Sequence, residues 1–195
     1  MKLIVISGFP GSGKTTLLLA LVRRLADTGA GRLVIIENEV GEVGIDNQYL
    51  KLEGLEVREL YSGCVCCQLS SDLVTTLRQV SQALSPSHVF VEPSGVARAD
   101  QLVKVVRTYA PEVEEIKVIG LLDPTRREFW GDEVPPFVAA AIECADLVLI
   151  NKADVAGEKE IRAVELAALS LKPSALVRAV SGLHGSNLDQ VVEWI

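Results

Sequence analysis

The stretch KLIVISGFPGSGKTTLLLALVRRL, Lys2–Leu25, decides the fold. Its opening run, Leu3–Ile6, is apolar at consecutive positions, which reads as a parallel strand buried on both faces. Next comes GFPGSGKT, Gly8–Thr15, with the spacing G-x-x-x-x-G-K-[ST], and then helical spacing over Thr15–Leu25. Strand, glycine-rich turn and helix in this order build an anion cradle. The glycines let successive amides point inward, and the helix start adds unpaired N–H groups and the positive end of its dipole. The candidate phosphate contacts are Gly11, Ser12, Gly13, Lys14, Thr15 and Thr16. Lys14 supplies a mobile charge for the β and γ phosphates of a nucleotide, and the Thr15 hydroxyl is a ligand for Mg²⁺. A plain glycine-rich turn is the alternative, set aside because every fixed position is present in the right context.

Outward from this stretch, strand-like apolar runs recur at Leu33–Ile36, Val89–Val91, Val118–Leu122, Leu147–Ile150 and Leu176–Val180. Helical stretches fall between them at Asp72–Leu84, Ala99–Tyr109, Pro136–Cys144 and Glu158–Leu169, and a closing helix begins at about Asn187. Repeated alternation predicts an α/β fold of the P-loop NTPase kind, a three-layer sandwich whose mostly parallel sheet carries helices on both faces. Ligands of such sheets sit beyond the carboxyl ends of the strands, so motifs should follow strands. Residues 1–195 are expected to form a single domain, since no linker or internal repeat divides them.

Three further motifs obey that rule. NKAD, Asn151–Asp154, follows the run DLVLI. A carboxylate at Asp154 can accept hydrogen bonds from the ring N–H and exocyclic amine of guanine, a pair that adenine does not offer. Asn151 would tie this loop to the phosphate cradle, and the stem of Lys152 would lie along the base. A turn or helix cap is the plainer reading of the same residues. Ser181, in AVSG after the last strand, is a further base-contact candidate. Glu92, ending HVFVEPSG, is placed to hold Mg²⁺ through water, with the Gly95 amide offered to the γ phosphate. The acidic, glycine-spaced ENEVGEVGID, Glu37–Asp46, reads either as a switch in which Asp46 contacts the Mg²⁺ side or as a solvated loop.

Composition excludes other classes. The 195 residues are 49% hydrophobic and 23% charged, ordinary for a globular α/β chain. A net charge of −7, with no basic cluster, argues against nucleic acid as a partner. No run of eighteen apolar residues or leader-like segment appears, so a membrane is not expected and a cytoplasmic location is. Of four cysteines, Cys64, Cys66 and Cys67 crowd into SGCVCCQ, a spacing unsuited to a disulfide framework and suited to a metal such as zinc, copper, cobalt or nickel. Glu37, Glu39 or Glu42 would complete the shell; packed or redox-active thiols are the alternative. Cys144 reads as inert filling, His88 as structural and His184 as a surface residue, with recruitment of either histidine as a ligand the alternative; Asp123, at a strand end in LLDPT, could face the site, a turn cap being its simpler role.

Taken in order, GFPGSGKTT, ENEVGEVGID, GCVCC, EPSG and NKAD resemble the CobW-like metallochaperone GTPases, relatives of HypB and UreG. The resemblance covers about Met1–Asp154 by motif. It implies a P-loop GTPase domain with a CxCC metal motif at Cys64–Cys67, Glu92 as the acid of ExxG and Asp154 as the acid of NKxD. It also implies GTP and GDP as ligands and slow, Mg²⁺-dependent hydrolysis. The cycle would be coupled to delivery of a transition metal, zinc first and cobalt or nickel next, to a client metalloprotein or cofactor-assembly protein. Many members continue into a C-terminal domain not expected within these 195 residues. A nucleotide-dependent homodimer is suggested as well. On this reading Lys14, Thr15, Glu92 and Gly95 carry the hydrolysis. Two other classes compete: a small-molecule kinase with Arg126 or Arg127 as a lid charge, against which NKAD speaks, and a non-enzymatic metal reserve or redox protein, against which the intact phosphate cradle speaks.

Overall fold

The structure, a computed structural model, describes residues 1–37, 56–59, 68–93, 99–130 and 134–195. In chain order its elements are β1 (Lys2–Gly8), α1 (Lys14–Asp27), β2 (Leu33–Glu37), β3 (Glu56–Glu59), α2 (Gln68–Leu84), β4 (His88–Glu92), α3 (Ala99–Tyr109) and β5 (Glu115–Leu122). A 3₁₀ helix (Pro124–Trp130), α4 (Pro136–Cys144), β6 (Leu147–Ile150), α5 (Glu158–Leu171), β7 (Leu176–Ala179) and α6 (Leu188–Trp194) follow.

All pairings are parallel, and the sheet runs β3-β2-β4-β1-β5-β6-β7. Parallel neighbours need helical crossovers, and these cover both faces. On one face α1 and α6 pack Leu17, Leu21, Leu188 and Val191 against Ile4, Ile6, Phe90 and Leu149. Residues of opposite parity, Leu3, Val5, Val89, Val118, Val148 and Ile150, meet α2, α3, α4 and α5 on the other. The strand side chains alternate between the faces, so every residue of Leu3–Ile6 is buried without any polar position. Each such side chain contributes about 1.5–3 kcal/mol over an exposed one.

β1 is central, flanked by β4 and β5. The chain leaves β1 toward β2 on one side and later builds β5, β6 and β7 on the other. That reversal of direction opens a crevice beyond the carboxyl end of β1, where the glycine-rich loop lies.

The expected fold is the one observed, with two corrections. A seventh strand, β3, lies in Glu56–Glu59, a polar EVRE with no apolar run, which its edge position beside β2 tolerates. β7 is not buried on both faces: Leu176 and Arg178, which share one face of this edge strand, are exposed, while Val177 and Ala179 on the other are half-buried. No helix among the described residues is long and apolar enough to cross a membrane.

Candidate functional site

The loop between β1 and α1 has Gly11 at φ 80° and Gly13 at φ 91°. Gly13 is the residue before the first turn of α1, and a Cβ built on it would lie 2.5 Å from Asn151 Nδ2. Left-handed backbone and lack of space therefore both require glycine here. Lys14 is buried, 7% exposed, with its ammonium 3.6 Å from Glu92 Oε1 and 3.5 Å from the Phe9 carbonyl oxygen. The Thr15 hydroxyl donates to Glu92 Oε2 at 2.8 Å. β4 thus brings Glu92, at the carboxyl end of the strand next to β1, onto the first turn of α1.

The NKAD loop is fastened to this cradle from the other side. Asn151, 3% exposed, donates through Nδ2 to the Ser12 carbonyl at 2.8 Å and accepts from the Gly182 amide at 2.9 Å. Lys152, itself at φ 62°, donates to the Gly11 carbonyl at 2.7 Å and to Asp123 Oδ2 at 2.6 Å. So the P-loop, the end of β6 and the turn after β7 form one hydrogen-bonded unit. Asp154, an exposed residue whose side chain is 17% exposed, lies beyond Lys152 with Oδ2 3.5 Å from His184 Nε2. A hydrogen bond with Ser181 holds the Asp154 carboxyl below the usual carboxylate range, the charge of His184 adding to it. Ser181 itself is buried, and its Oγ accepts from the His184 amide at 3.0 Å.

Several candidates are thereby brought together: Gly11, Ser12, Gly13, Lys14, Thr15 and Thr16 in the loop and first turn of α1, Glu92 on the β4 side against Lys14 and Thr15, and Asn151, Lys152, Asp154 and Ser181 on the other side. Lys152 engages the P-loop backbone and Asp123, a role beyond the stem contact expected of it. Asp123 does cap a turn, accepting from the Thr125 amide at 3.0 Å and hydroxyl at 2.6 Å. It also anchors Lys152, which sequence spacing did not reveal. The signal available was an acid at the end of a buried strand, in LLDPT. Arg126 donates to the Pro10 carbonyl at 3.3 Å and lies 3.7 Å from Asp123 Oδ2.

Gly95, Asp46, Glu39, Glu42, Cys64, Cys66 and Cys67 lie outside the described residues. Of Glu37 the backbone is described, at the end of β2, where its Cα is paired in register with that of Glu92. Among the described residues no group of three or more His, Cys, Asp or Glu side chains is placed to hold a metal. His88, at the start of β4, is buried with Nδ1 3.1 Å from Ser87 Oγ, and burial lowers its pKa. Burial likewise raises the pKa of the Cys144 thiol, in keeping with a packing role.

Comparison with known proteins agrees with the geometry. The zinc chaperone YjiA of Escherichia coli is 27% identical over 163 residues, covering 80% of this chain and 50% of its own. The chain spans about half the length of the curated relatives it matches. Among solved structures, the hydrogenase maturation factor HypB from Archaeoglobus fulgidus superposes with a TM-score of 0.70 at 18% identity, over 100% of this chain and 88% of that one. Zn(II)-bound YjiA GTPase from E. coli gives 0.65 at 20% identity, over 92% and 57%. At such identities the structures establish the shared P-loop fold. The family described as CobW/HypB/UreG, nucleotide-binding domain, matches residues 2–178, nearly the whole sheet, and the chain therefore belongs to that family.

Proposed function

We propose that this chain is the GTP-binding unit of a cytoplasmic metallochaperone, which hydrolyses GTP slowly and couples that cycle to binding and delivering a transition metal. The observation that carries the reading is the fastening of the NKAD loop to the P-loop by Asn151 and Lys152, which sets Asp154 at the rim of the phosphate cradle. With the triphosphate along Gly11, Ser12 and Gly13 and the start of α1 at Thr16, the purine edge comes to Asp154. Its depressed pKa keeps it an acceptor for the two guanine donors. Ser181 serves this loop by hydrogen bonding Asp154, a positioning role.

Lys14 exchanges its long contacts to Phe9 and Glu92 for the β and γ phosphate oxygens, and a charge-assisted bond of normal length more than compensates for them. The Thr15 hydroxyl and Glu92 carboxylate offer hard oxygen donors, at 2.8 Å from each other, a set that fits Mg²⁺. Thr15 and Glu92 would hold Mg²⁺ there, and its charge would offset that developing on the transferred phosphoryl group. Asp46 is the further candidate on the Mg²⁺ side, and the Gly95 amide the candidate γ-phosphate sensor.

The metal is cargo. Cys64, Cys66 and Cys67, with Glu37, Glu39 or Glu42, are its proposed ligands, and zinc is the first choice because the relative YjiA is named a zinc chaperone. Cobalt and nickel suit the same donors. Glu37 gives the two sites a physical connection, since it ends the strand paired with that of Glu92. A change at Glu92 is thus one strand from Glu37, one of the proposed ligands, and a coupling of about 1–3 kcal/mol would make release useful. The recipient is a client metalloprotein or cofactor-assembly protein, and a nucleotide-dependent homodimer is part of the proposal.

Calorimetric titration of GTP and ATP into metal-free and zinc-loaded protein tests both halves. GTP is expected to bind at least ~10-fold more tightly than ATP. Zinc affinity is expected to differ between the GTP-analogue, GDP and nucleotide-free forms. Preference for ATP would overturn the base assignment, and three equal zinc affinities would discard the coupling.

A further inference from the structure

Behind the P-loop, between it and the start of α4, lies a cavity of about 660 Å³. Its walls include Phe9, Ser12, Leu121, Trp130, Phe137 and Val138, with Asp123 and Arg126 as its charged members. Phe9 and Ser12 are shared with the phosphate loop, but Lys14, Thr15, Glu92, Lys152 and Asp154 are not among its walls. Of the groups assigned to phosphate, Mg²⁺ and base, its wall includes Ser12 alone. Its size and mainly apolar lining, with a few polar groups, are those of small-molecule sites, which span roughly 300–1,000 Å³.

Two independent features point to an occupant. Ser12 is 1% exposed, yet among the described residues its hydroxyl has no hydrogen-bond partner. A buried hydroxyl without a partner carries a desolvation penalty that a bound polar group would remove. The rim provides the second feature. Phe9 and Phe137 stack with ring centroids 4.4 Å apart and an interplanar angle of 25°, while both remain more than a third exposed. Paired aromatics held open to solvent beside an apolar cavity form a ready-made platform for a ring.

Charge then selects the head group. Asp123 already accepts from Lys152 and Thr125, so its charge is offset. Arg126, 45% exposed and over the P-loop at Pro10, lies 3.7 Å from Asp123 Oδ2, so with Lys152, outside the wall, two cations share one carboxylate and the group of three carries one positive charge in excess. A second cation would compete with Lys152 for Asp123, whereas an anion gains Arg126.

We propose that this cavity is a second ligand site, for a small organic anion whose ring-sized apolar body fills the space between Phe9–Phe137 and Trp130 and whose acidic head group meets Arg126 and Ser12. The site is separate from the nucleotide site and stands whether or not the metal-delivery reading holds. Because Phe9 and Ser12 belong to both walls, it is suitably placed for an effector of the nucleotide cycle.

The probe is 8-anilinonaphthalene-1-sulfonate, which joins aromatic rings to an anion, titrated into the full chain while circular dichroism confirms the fold. One saturable equivalent is expected, retained when GTP and Mg²⁺ are added to saturation. Val138→Trp, which fills the cavity from α4, should weaken binding at least ~10-fold, and Phe137→Ala, at the exposed rim, at least ~3-fold. Arg126→Gln should weaken the sulfonate probe ~5-fold while leaving the uncharged N-phenyl-1-naphthylamine unaffected. Unsaturable binding, full displacement by GTP, or unchanged affinity in both Val138→Trp and Phe137→Ala would overturn the site. Equal losses of the two probes in Arg126→Gln would overturn the choice of an anion.

Discussion

Asn151 and Asp154 stand three residues apart in one loop, and the fold uses them in opposite ways. Asn151 is buried and bonded in two directions, to the P-loop at Ser12 and to the turn after β7 at Gly182. Asp154 is exposed and faces outward toward His184. One four-residue motif thus divides into a structural half, which ties the end of β6 to the P-loop, and an exposed half, which we propose chooses the base. Lys14 combines the two: it is buried like Asn151, but its ammonium contacts are long, 3.5 and 3.6 Å, and ready to be exchanged. Burial alone therefore does not tell which side chains hold the fold; the quality of their hydrogen bonds does.

The largest effect should come where a side chain's contacts within the fold are long and those proposed to the ligand are strong. Lys14→Ala is expected to weaken GTP binding about 100-fold, or about 2.8 kcal/mol at about 1.4 kcal/mol per tenfold, in a calorimetric titration. A loss of less than ~3-fold would mean that the triphosphate does not lie in this loop. Asn151→Ala should act on the fold instead. It strips the Ser12 carbonyl and the Gly182 amide of their partner, and an unsatisfied buried group costs about 1–3 kcal/mol. We expect a loss of about 2 kcal/mol in urea unfolding without nucleotide. If stability were unchanged and only GTP binding fell, the division between the two halves of the motif would fail.

These contrasts also explain what the sequence made legible. The phosphate cradle could be read because its requirements are local: a glycine at φ 91°, a lysine after it and a strand before it all lie within a dozen residues. The Asn151 tie was legible because its motif follows a strand that could only be parallel. The Asp123–Lys152 pair was not, since it joins residues on different strands through a register that no periodicity encodes. β3 was missed because EVRE has the polarity of a loop and is a strand only by virtue of β2 beside it. The cavity behind the P-loop was likewise invisible, being made by the approach of α4 to residues more than a hundred positions earlier. Local chemistry is written in the sequence; tertiary juxtaposition is not.

The open half of the motif can be broken selectively. Asp154→Asn should cut the preference for GTP over ATP ~10-fold while lowering the unfolding midpoint far less than Asn151→Ala does. The pH dependence sharpens this, because the Asp154 pKa is depressed. The carboxylate stays ionised as pH falls through the ordinary carboxylate range near ~4, so guanine preference should persist there and disappear only below it. Preference that declines already between pH 6 and 5 would point to a different acceptor.

The smallest effect supplies the control: a buried titratable group distant from the site. His88 begins β4 and Glu92 ends it, so one strand carries both a structural histidine and a ligand-side acid. Burial is the main cause of the lowered His88 pKa, with Lys2 adding to it, Glu115 opposing and Lys117 and the N-terminus reinforcing. The folded protein therefore binds this proton less readily than the unfolded chain. The contribution of neutral His88 is complete above the ordinary histidine value of 6.5 and is lost as pH falls through the lowered one. His88→Gln should flatten the decline of stability below pH 6.5, followed by urea unfolding at successive pH values, and leave GTP affinity at pH 7.5 unchanged. A matching change in GTP affinity would show that β4 transmits strain from its buried start to Glu92, and the clean separation of structural from ligand residues would have to be given up.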